Sequence, residues 1–554
     1  MYSIIIELIL LSTGVEFLDS FTDLFLSKSE IEKIQLFNKI KLIRTTQLAS
    51  ADLIGTYRNR NIEVKDINLR KAAYQMNKSY GSVYNTFLGI QDDFKKILNK
   101  DEYTTEEMFN VTRDAYHAYL TTNSDGYLFL DAIVKNKESS FKHFYETLES
   151  SKATVLRHLK PMRGYLKRFG VRIAYEPMRF VGDEESIRLA IAALYWNATR
   201  GYVWPFEDFT EKVAFKVVDI AMDKYRLKPT NLITKTFYAY VVMAHLYRII
   251  DGNHVQNMDA LNVINYPFPN IFESAGSMLE GDTGSKKVRE LKRAIKEDVS
   301  YEEQMFQSAD FYILLMCVPA TFEVSEDYLQ SVSKQLVRYN PLFANFIDDF
   351  LELIPIDVEQ TISDMALSHS EFLRYKYNLT TCIIGVLALD HNYIEILNLY
   401  SGFGDAISKL NDEGLESKIY STVQHLMLRD KYQSLTGKSK QISEAIYAIA
   451  YRFFSLYNKN IQVKVYLELE SFFLVYSDLS VTLQSLPYAK IVSDPKDADI
   501  IVTANSANPP EEDMNKDVCI YRWMYNGVDG QMGGLLNLIY KIWTEEKVSE
   551  NPNL

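Results

Sequence analysis

Ser150-Ser151-Lys152-Ala153-Thr154-Val155-Leu156-Arg157-His158-Leu159-Lys160 is the stretch that decides the fold, and it continues through further basic residues to Gly170. Between residues 151 and 180 the chain has eight Lys or Arg residues against one acid, Glu176, although the whole protein has a formal charge of −13. Apolar residues recur here with helical spacing, at Val155, Leu159, Met162 and Leu166. This spacing predicts a helix with one buried stripe and cations on its other sides.

The residues just before this helix predict a helix-turn-helix. Phe141, Phe144 and Leu148 form a second apolar stripe, and only Glu149-Ser150-Ser151 separates the two stripes. Either serine can cap the second helix. Two helices joined by so short a turn are typical of DNA-binding helix-turn-helix units. Pro161 predicts a kink in the second helix, because proline removes a backbone hydrogen bond.

In such a unit the second helix enters the major groove and its cations contact phosphates. We therefore predict base contacts from the start of the helix and phosphate contacts from its later cations, and the predicted set is Lys152, Thr154, Arg157, His158, Lys160, Arg163 and Lys167. The alternative is an ordinary solvated basic helix, which is what most charge runs form.

Two flanking segments extend this prediction. Residues 170–181 alternate like a short hairpin, which predicts a wing with Arg172 and Arg179 near flanking phosphates. Residues 66–94 repeat the helix-turn-helix pattern, with a turn at residues 77–79. The predicted reading surface of that earlier unit is polar but nearly uncharged, so it either contacts DNA weakly or is purely structural; it comprises Tyr80, Ser82, Asn85 and Thr86.

Composition sets the outer limits of the interpretation. A chain of 554 residues predicts several domains, and three widely spaced cysteines exclude a disulfide framework and a zinc site. The apolar stretch at residues 2–11 is too short to span a bilayer, so we predict a cytoplasmic protein without a membrane contact. No cofactor motif and no enzyme motif is present; Gly281-Asp282-Thr283-Gly284-Ser285-Lys286 lacks the spacing of a phosphate-binding loop.

The remainder of the chain divides into two kinds of pattern. Residues 207–455 are helical almost throughout, whereas strands and helices alternate after residue 460 and predict a small parallel α/β sheet. The predicted fold class is multidomain and mainly α. Residues 1–110 form the first predicted helix-turn-helix domain and residues 111–206 the winged helix-turn-helix domain. Two helical domains follow at residues 207–324 and 325–455, and the α/β domain is predicted at residues 460–548.

Four motifs in this order resemble the Mga/AtxA family of transcriptional and virulence regulators from Gram-positive bacteria. They are Ser151-Lys152-Ala153-Thr154-Val155-Leu156-Arg157, Gly170-Val171-Arg172-Ile173, the segment from Gly182 to Arg188, and Trp204-Pro205-Phe206. The resemblance implies two phosphotransferase-system regulation domains (PRDs) in the helical part and a C-terminal domain like enzyme IIB. It also implies a homodimer that binds double-stranded promoter DNA and most often activates transcription.

In this family a histidine-phosphorylated phosphocarrier protein modifies PRD histidines. The stretch around His245, followed by Arg248 and Gly252, resembles the PRD signature, and His425 is the candidate in the second PRD. The loop where enzyme IIB carries its reactive cysteine corresponds to Glu468-Leu469-Glu470-Ser471, which has no thiol. The alternatives are a PRD-based interaction protein that does not bind DNA directly and, less well supported, an RNA antiterminator.

Overall fold

The architecture was analysed in a computed structural model of the 554-residue chain. The structure describes residues 24–45, 67–225, 232–255, 264–265, 267–272, 286–294, 297, 299–316, 326–356, 369–390, 392–400, 413–455, 462–468, 473–486, 488–503, 518–523 and 531–543. The stretch at residues 2–11, the loop at residues 281–285 and residues 469–471 therefore lie outside the described part. Helices predominate, and one small sheet follows near the C-terminus, as the sequence predicts.

The N-terminal part contains the predicted first helix-turn-helix, and its described residues form five helices. Its helices are α1 (Lys28–Thr45), α2 (Leu69–Gln75), α3 (Tyr80–Leu98), α4 (Thr105–Asn110) and α5 (Arg113–Thr122). Asn77 takes a left-handed conformation (φ 50°) in the turn, and the Ser79 hydroxyl caps α3 by accepting from the amide of Ser82. The apolar stripe of α3 is buried as predicted, since Val83 and Phe94 are almost inaccessible to solvent.

The second unit is the predicted winged helix-turn-helix. It comprises α6 (Asp125–Val134), α7 (Phe141–Thr147), α8 (Lys152–His158), α9 (Lys160–Arg168), strands β1 (Arg172–Tyr175) and β2 (Met178–Val181), and the long helix α10 (Glu184–Thr199). The two strands form an antiparallel hairpin, which confirms the alternating pattern. Helix α10 begins at Asp183, whose carboxylate accepts from the amide of Ser186, and nearly every residue of α10 is buried.

A large helical part follows, in agreement with the helical pattern of residues 207–455. Its helices are α11 (Glu211–Tyr225), α12 (Leu232–Ile250), α13 (Lys286–Arg293), α14 (Tyr301–Met316), α15 (Glu326–Tyr339), α16 (Pro341–Leu353), α17 (His369–Leu389), α18 (Asn392–Tyr400), α19 (Glu413–Met427) and α20 (Ser439–Ser455), with a 3₁₀ helix over Asp430–Lys438. Within the described residues, none of these helices combines the length and the apolar character needed to cross a bilayer.

Buried apolar side chains of the described residues form three clusters, and two of them cross the predicted boundaries. One cluster contains α1 to α5, including Tyr116 and Leu120 of α5. A second begins at Leu24 and includes buried residues of the winged helix and of the helical part as far as Tyr451 in α20. The winged helix and the helical part therefore share one core.

The third cluster belongs to the C-terminal α/β unit. Strands β3 (Val463–Glu468), β4 (Ala489–Val492), β5 (Ile500–Thr503) and β6 (Cys519–Arg522) form a parallel sheet in the order β4-β3-β5-β6, with helices α21 (Phe473–Gln484) and α22 (Gln531–Ile542). Three of the strands and both helices agree with the sequence prediction. Strand β4 was not predicted, because it is short and two of its four residues are only partly buried.

Two glycines in helices allow a matched test of core packing. A Cβ at Gly385 in α17 would collide with the ring of Tyr393, a fully buried residue of α18, whereas a Cβ at Gly164 in α9 has open space around it. We expect Gly385→Ala to lower the free energy of unfolding by about 1–3 kcal/mol through overpacking. Gly164→Ala should raise it by roughly 0.5–1 kcal/mol, because alanine favours the helix.

Urea unfolding of both variants followed by circular dichroism measures these changes. Equal effects of the same sign at both positions would contradict the described contact between α17 and α18.

Candidate nucleic-acid interface

The turn of the second helix-turn-helix is built from local capping interactions. Glu149 takes a left-handed conformation (φ 50°) after α7, and the amide of Ser150 donates to the carbonyl of Tyr145. Ser151 then caps α8, because its Oγ accepts from the amide of Thr154 at 3.1 Å. This sharp turn with a capped second helix agrees with the predicted motif.

The basic helix is interrupted at Leu159, so α8 and α9 are two segments of one kinked helical element, which is called the basic rod. Leu159 has φ −76° and ψ −9°, and the ring of Pro161 leaves the carbonyl of Arg157 without its usual helical donor. The predicted apolar stripe stays on one side through the kink, and Val155, Leu159, Met162 and Leu166 are all at most 1% exposed. The kink predicted from Pro161 is therefore confirmed.

The predicted cations lie on the solvent side of this rod. Lys152, Arg157, Lys160, Arg163 and Lys167 are all exposed. Within the described part of the chain, none of the five makes an ion pair, whereas Arg168 at the end of α9 pairs with Glu395 of α18 at 2.7 Å. Helices α8 and α9 thus carry five positively charged side chains that no acidic residue among the described residues neutralises.

The other two predicted contacts are placed differently from the cations. His158 Nδ1 lies 2.7 Å from Asp125 Oδ2, so this ring ties α8 to the start of α6. The Thr154 hydroxyl lies 2.9 Å from the Ser151 hydroxyl within the helix cap. Both side chains therefore have structural partners inside the unit, which their sequence positions alone did not show.

The hairpin adds two cations beside the rod. Arg172 lies opposite Val181, and Arg179 lies opposite Ala174, so the two arginines are on the same face of the antiparallel pair. Both are exposed, whereas Phe180 on the other face is 5% exposed and belongs to the core. This arrangement is that of a wing with a basic outer face.

One segment of this unit matches the model of a known family. Residues 110–195 are similar to the Mga helix-turn-helix domain. This matched segment is referred to as the Mga domain. The match begins just before α5 and ends within α10, and so it contains every predicted DNA contact. It confirms the resemblance to the Mga/AtxA regulators that the sequence motifs indicate.

Three relatives of known sequence extend the likeness beyond the Mga domain. The capsule synthesis positive regulator AcpB of Bacillus anthracis is 24% identical over 148 residues, which are 27% of this chain and 30% of the relative. A putative trans-acting regulator of Streptococcus pneumoniae serotype 4 is 23% identical over 57% of this chain and 60% of its own length. The capsule synthesis positive regulator AcpA of Bacillus anthracis is 22% identical over 52% and 60%, respectively.

The chain thus spans less than two thirds of each of these three relatives. Their names describe regulators, and none describes an enzyme.

A buried charge network joins the last helix of the Mga domain to the helical part. Arg188 in α10 is fully buried and donates to Glu184 at 3.0 Å, to the carbonyl of Asn253 at 3.1 Å and to Asp310 of α14 at 3.2 Å. Glu184 in turn accepts from Arg248 of α12. Burial acts to raise the pKa of Asp310, but His245 and Arg188 outweigh it and hold this pKa below its usual range.

His245, the first predicted phosphorylation site, is part of this network. Its Nε2 lies 2.9 Å from Asp310 Oδ2, its Nδ1 lies 2.8 Å from the carbonyl oxygen of Val241, and its side chain is 6% exposed. The exposed imidazole nitrogen that phosphoryl transfer requires is therefore not present at His245 in this conformation.

His425, the second predicted site, is exposed in the last turn of α19. Arg429, four residues later, donates to Asp349 at 2.6 Å, and Lys431 and Tyr432 bind the same carboxylate.

Helix α18 forms a second link from the helical part to the Mga domain. Its Glu395 pairs with Arg168, and the side-chain amide of Asn392 donates to the Ser186 hydroxyl at 2.6 Å in a buried position. Sequence analysis did not find these residues or Arg188. The available signal for Arg188 was its place as the lone charge in the apolar run of residues 187–194.

Replacing the carboxylate of Asp310 tests the buried network. We expect Asp310→Asn to lower the free energy of unfolding by about 3 kcal/mol or more, because Arg188 then stays buried without its full counter-charge. The matched control is Asp349→Asn, which removes a carboxylate that also binds an arginine but is 20% exposed; its expected cost is about 0–1 kcal/mol. Denaturant unfolding measures both values, and a cost for Asp310→Asn no larger than that of the control would contradict the network.

Proposed function

We propose that the protein is a DNA-binding transcriptional regulator that reads promoter DNA with α8 and α9. The observation that carries the proposal is the row of five exposed cations without an acidic partner among the described residues, on the second helix of a unit matching the Mga helix-turn-helix domain. In a chain with a net charge of −13, such a local surface selects a polyanion while the rest of the molecule repels it. Because two relatives are positive regulators, we propose that it activates transcription.

The positions of the cations suggest that those on α8 and those on α9 contact different parts of the DNA. Lys152 and Arg157 lie on α8, the segment that enters the major groove first, and so are the proposed base contacts. Lys160, Arg163 and Lys167 follow the kink and are suited to the phosphates on one groove edge, while Arg172 and Arg179 of the wing reach the adjacent backbone. His158 and Thr154 support the geometry of α8 through Asp125 and Ser151.

Neutralising two cations of the rod tests this proposal. We expect Arg157→Ala/Lys160→Ala to weaken promoter binding strongly, because one proposed base contact and one proposed phosphate contact are lost together. The slope of log affinity against log salt should fall by about 0.9, because one phosphate contact is removed. Fluorescence anisotropy over a salt series measures both effects.

The matched control is Arg289→Ala/Arg293→Ala, which removes two exposed cations from α13 and should leave binding unchanged. Wild-type affinity in the rod variant would overturn the DNA proposal and favour an interaction protein that signals without contacting DNA.

We further propose that the protein acts as a homodimer and that the C-terminal sheet serves assembly. A dimer presents two rods to two half-sites, so that the second contact forms at a high effective concentration. The parallel order β4-β3-β5-β6 with flanking helices is compatible with an enzyme IIB-like domain. The loop after β3 has no cysteine, so the proposed role is binding rather than phosphoryl transfer.

For the helical part we propose two PRDs, at residues 207–324 and 325–455, controlled by a phosphocarrier protein of the phosphotransferase system. The exposure of His425 makes it the directly accessible acceptor. Phosphorylation of His245 requires the ring first to leave Asp310 and Val241, after which the added negative charge beside Asp310 prevents its return. The two histidines would then respond on different time scales.

Phosphoryl transfer from the charged phosphocarrier tests this order. We expect His425→Ala to remove the fast phase of phosphohistidine formation, whereas His245→Ala should leave that phase intact and remove only slow incorporation. Time-resolved mass spectrometry of acid-labile phosphate measures the two phases. A fast phase that survives in His425→Ala would contradict the assignment, and the absence of any incorporation in wild type would argue against phosphotransferase control without affecting the DNA proposal.

A further inference from the structure

A second group of basic side chains lies where α5 packs against the end of α10. Arg113 and His117 are one turn apart on α5 and so share a face of that helix. Arg200 ends α10 in a left-handed conformation (φ 45°), and the two helices are in contact. The cluster therefore joins the N-terminal unit to the last helix of the Mga domain.

The side chains of this basic group lack the carboxylate partners that other arginines of the protein have. Four other arginines among the described residues contact a carboxylate, and they are Arg168, Arg188, Arg248 and Arg429. By contrast, the side chains of the half-buried Arg113 and the exposed Arg200 make no hydrogen bond and no ion pair with any residue that the structure describes. The Nε2 atom of His117 is buried and likewise has no hydrogen-bond partner there.

The charge of Arg200 acts on both Arg113 and His117, and the charge of Arg113 acts on His117. Burial lowers the pKa of Arg113, and the charge of Arg200 lowers it further, against the opposing effect of Asp114. Burial, followed by Arg200 and Arg113, lowers the pKa of His117 to about 4. Asp114 acts on all three groups, but its carboxylate does not form an ion pair with either arginine. At neutral pH the cluster is thus two guanidinium groups beside a neutral imidazole.

We propose that Arg113 and Arg200, beside His117, form a binding site for an oxyanion of the phosphate class. Two guanidinium groups offer paired N–H donors that match phosphate oxygens. The site also lies at the N-terminal end of α5, where the helix dipole favours an anion. Binding removes the repulsion between the arginines.

The site is separate from the surface formed by α8 and α9. Helix α5 has ten residues and so is about 15 Å long, with Arg113 at its first position. The contact between His158 and Asp125 lies beyond the opposite end of α5, at the start of α6. The phosphate group can therefore come from a small phosphorylated ligand or from a backbone position of DNA that extends toward the N-terminal unit.

The test uses inorganic phosphate as the probe and the full chain as the protein. We expect sodium phosphate to raise the thermal unfolding temperature of the wild type above that in sodium chloride of equal ionic strength and pH. In Arg113→Gln/Arg200→Gln this phosphate-specific rise should be lost. The unfolding temperature of that variant in chloride should equal or exceed that of the wild type, because the repulsion has been removed. The matched control, Arg289→Gln/Arg293→Gln, removes two exposed cations from α13 and should keep the full response to phosphate.

The alternative outcomes separate clearly. Equal effects of phosphate and chloride on the wild type, or an undiminished response in Arg113→Gln/Arg200→Gln, would overturn the site. A fall in the unfolding temperature of the variant in chloride would also overturn it, because it would show that the arginines are structural. Single variants Arg113→Gln and Arg200→Gln, each expected to weaken the response, cover the case in which the double variant does not fold.

Measuring promoter binding by the same variant identifies the source of the phosphate group. If promoter affinity and its salt slope are the same in wild type and Arg113→Gln/Arg200→Gln, the site binds a free phosphorylated ligand. If both fall, as they do for the rod variant, a DNA phosphate occupies it. The test of the phosphate site does not depend on the proposed DNA binding, since the stabilisation by phosphate is measured without DNA.

Discussion

Arg188 carries a positive charge in a position that water does not reach, and such a charge is stable only where its counter-charges and hydrogen bonds are complete. The matching groups come from three parts of the chain: Glu184 one turn earlier, the carbonyl of Asn253 after α12, and Asp310 on α14. Because all three must converge on one guanidinium group, α10 can take only one position against the helical part. The wing and the basic rod precede α10 directly, so their orientation depends on the same contact.

The local features of the winged helix-turn-helix unit could be predicted from the sequence because a few neighbouring residues determine them. Capping by Ser151, the buried stripe from Val155 to Leu166, the kink at Pro161 and the hairpin after Gly170 each depend on spacing within about four residues. Alternation after residue 460 similarly predicted the parallel sheet, and only the short β4 was missed.

What the sequence did not reveal depends on contacts between distant residues. Asp310 lies 122 residues after Arg188, and Asp125 lies 33 residues before His158. No periodicity connects such pairs, so His158 was predicted as a base contact although its ring binds Asp125. For the same reason, the resemblance around His245 gave its place in a motif but not its burial against Asp310.

Arginines in this protein fall into two groups that composition cannot separate. Some, such as Arg188 and Arg248, neutralise acids inside the molecule and hold helices together. Others, such as Arg157 and Arg163, face solvent with no acid near enough to pair among the described residues. Only the second group can exchange its hydration for an external anion without breaking an internal bond, and this difference marks the surfaces where ligands are expected.

The shared core of the Mga domain and the helical part bears on how the protein is made. During synthesis α9 and α10 leave the ribosome long before Glu395 and Asn392 of α18, on which Arg168 and Ser186 depend. Until then the apolar sides of α10 lack their later neighbours and present surface that favours aggregation or chaperone binding. A nascent chain therefore acquires the final arrangement of α8, α9 and α10 only after about seven tenths of it has been translated.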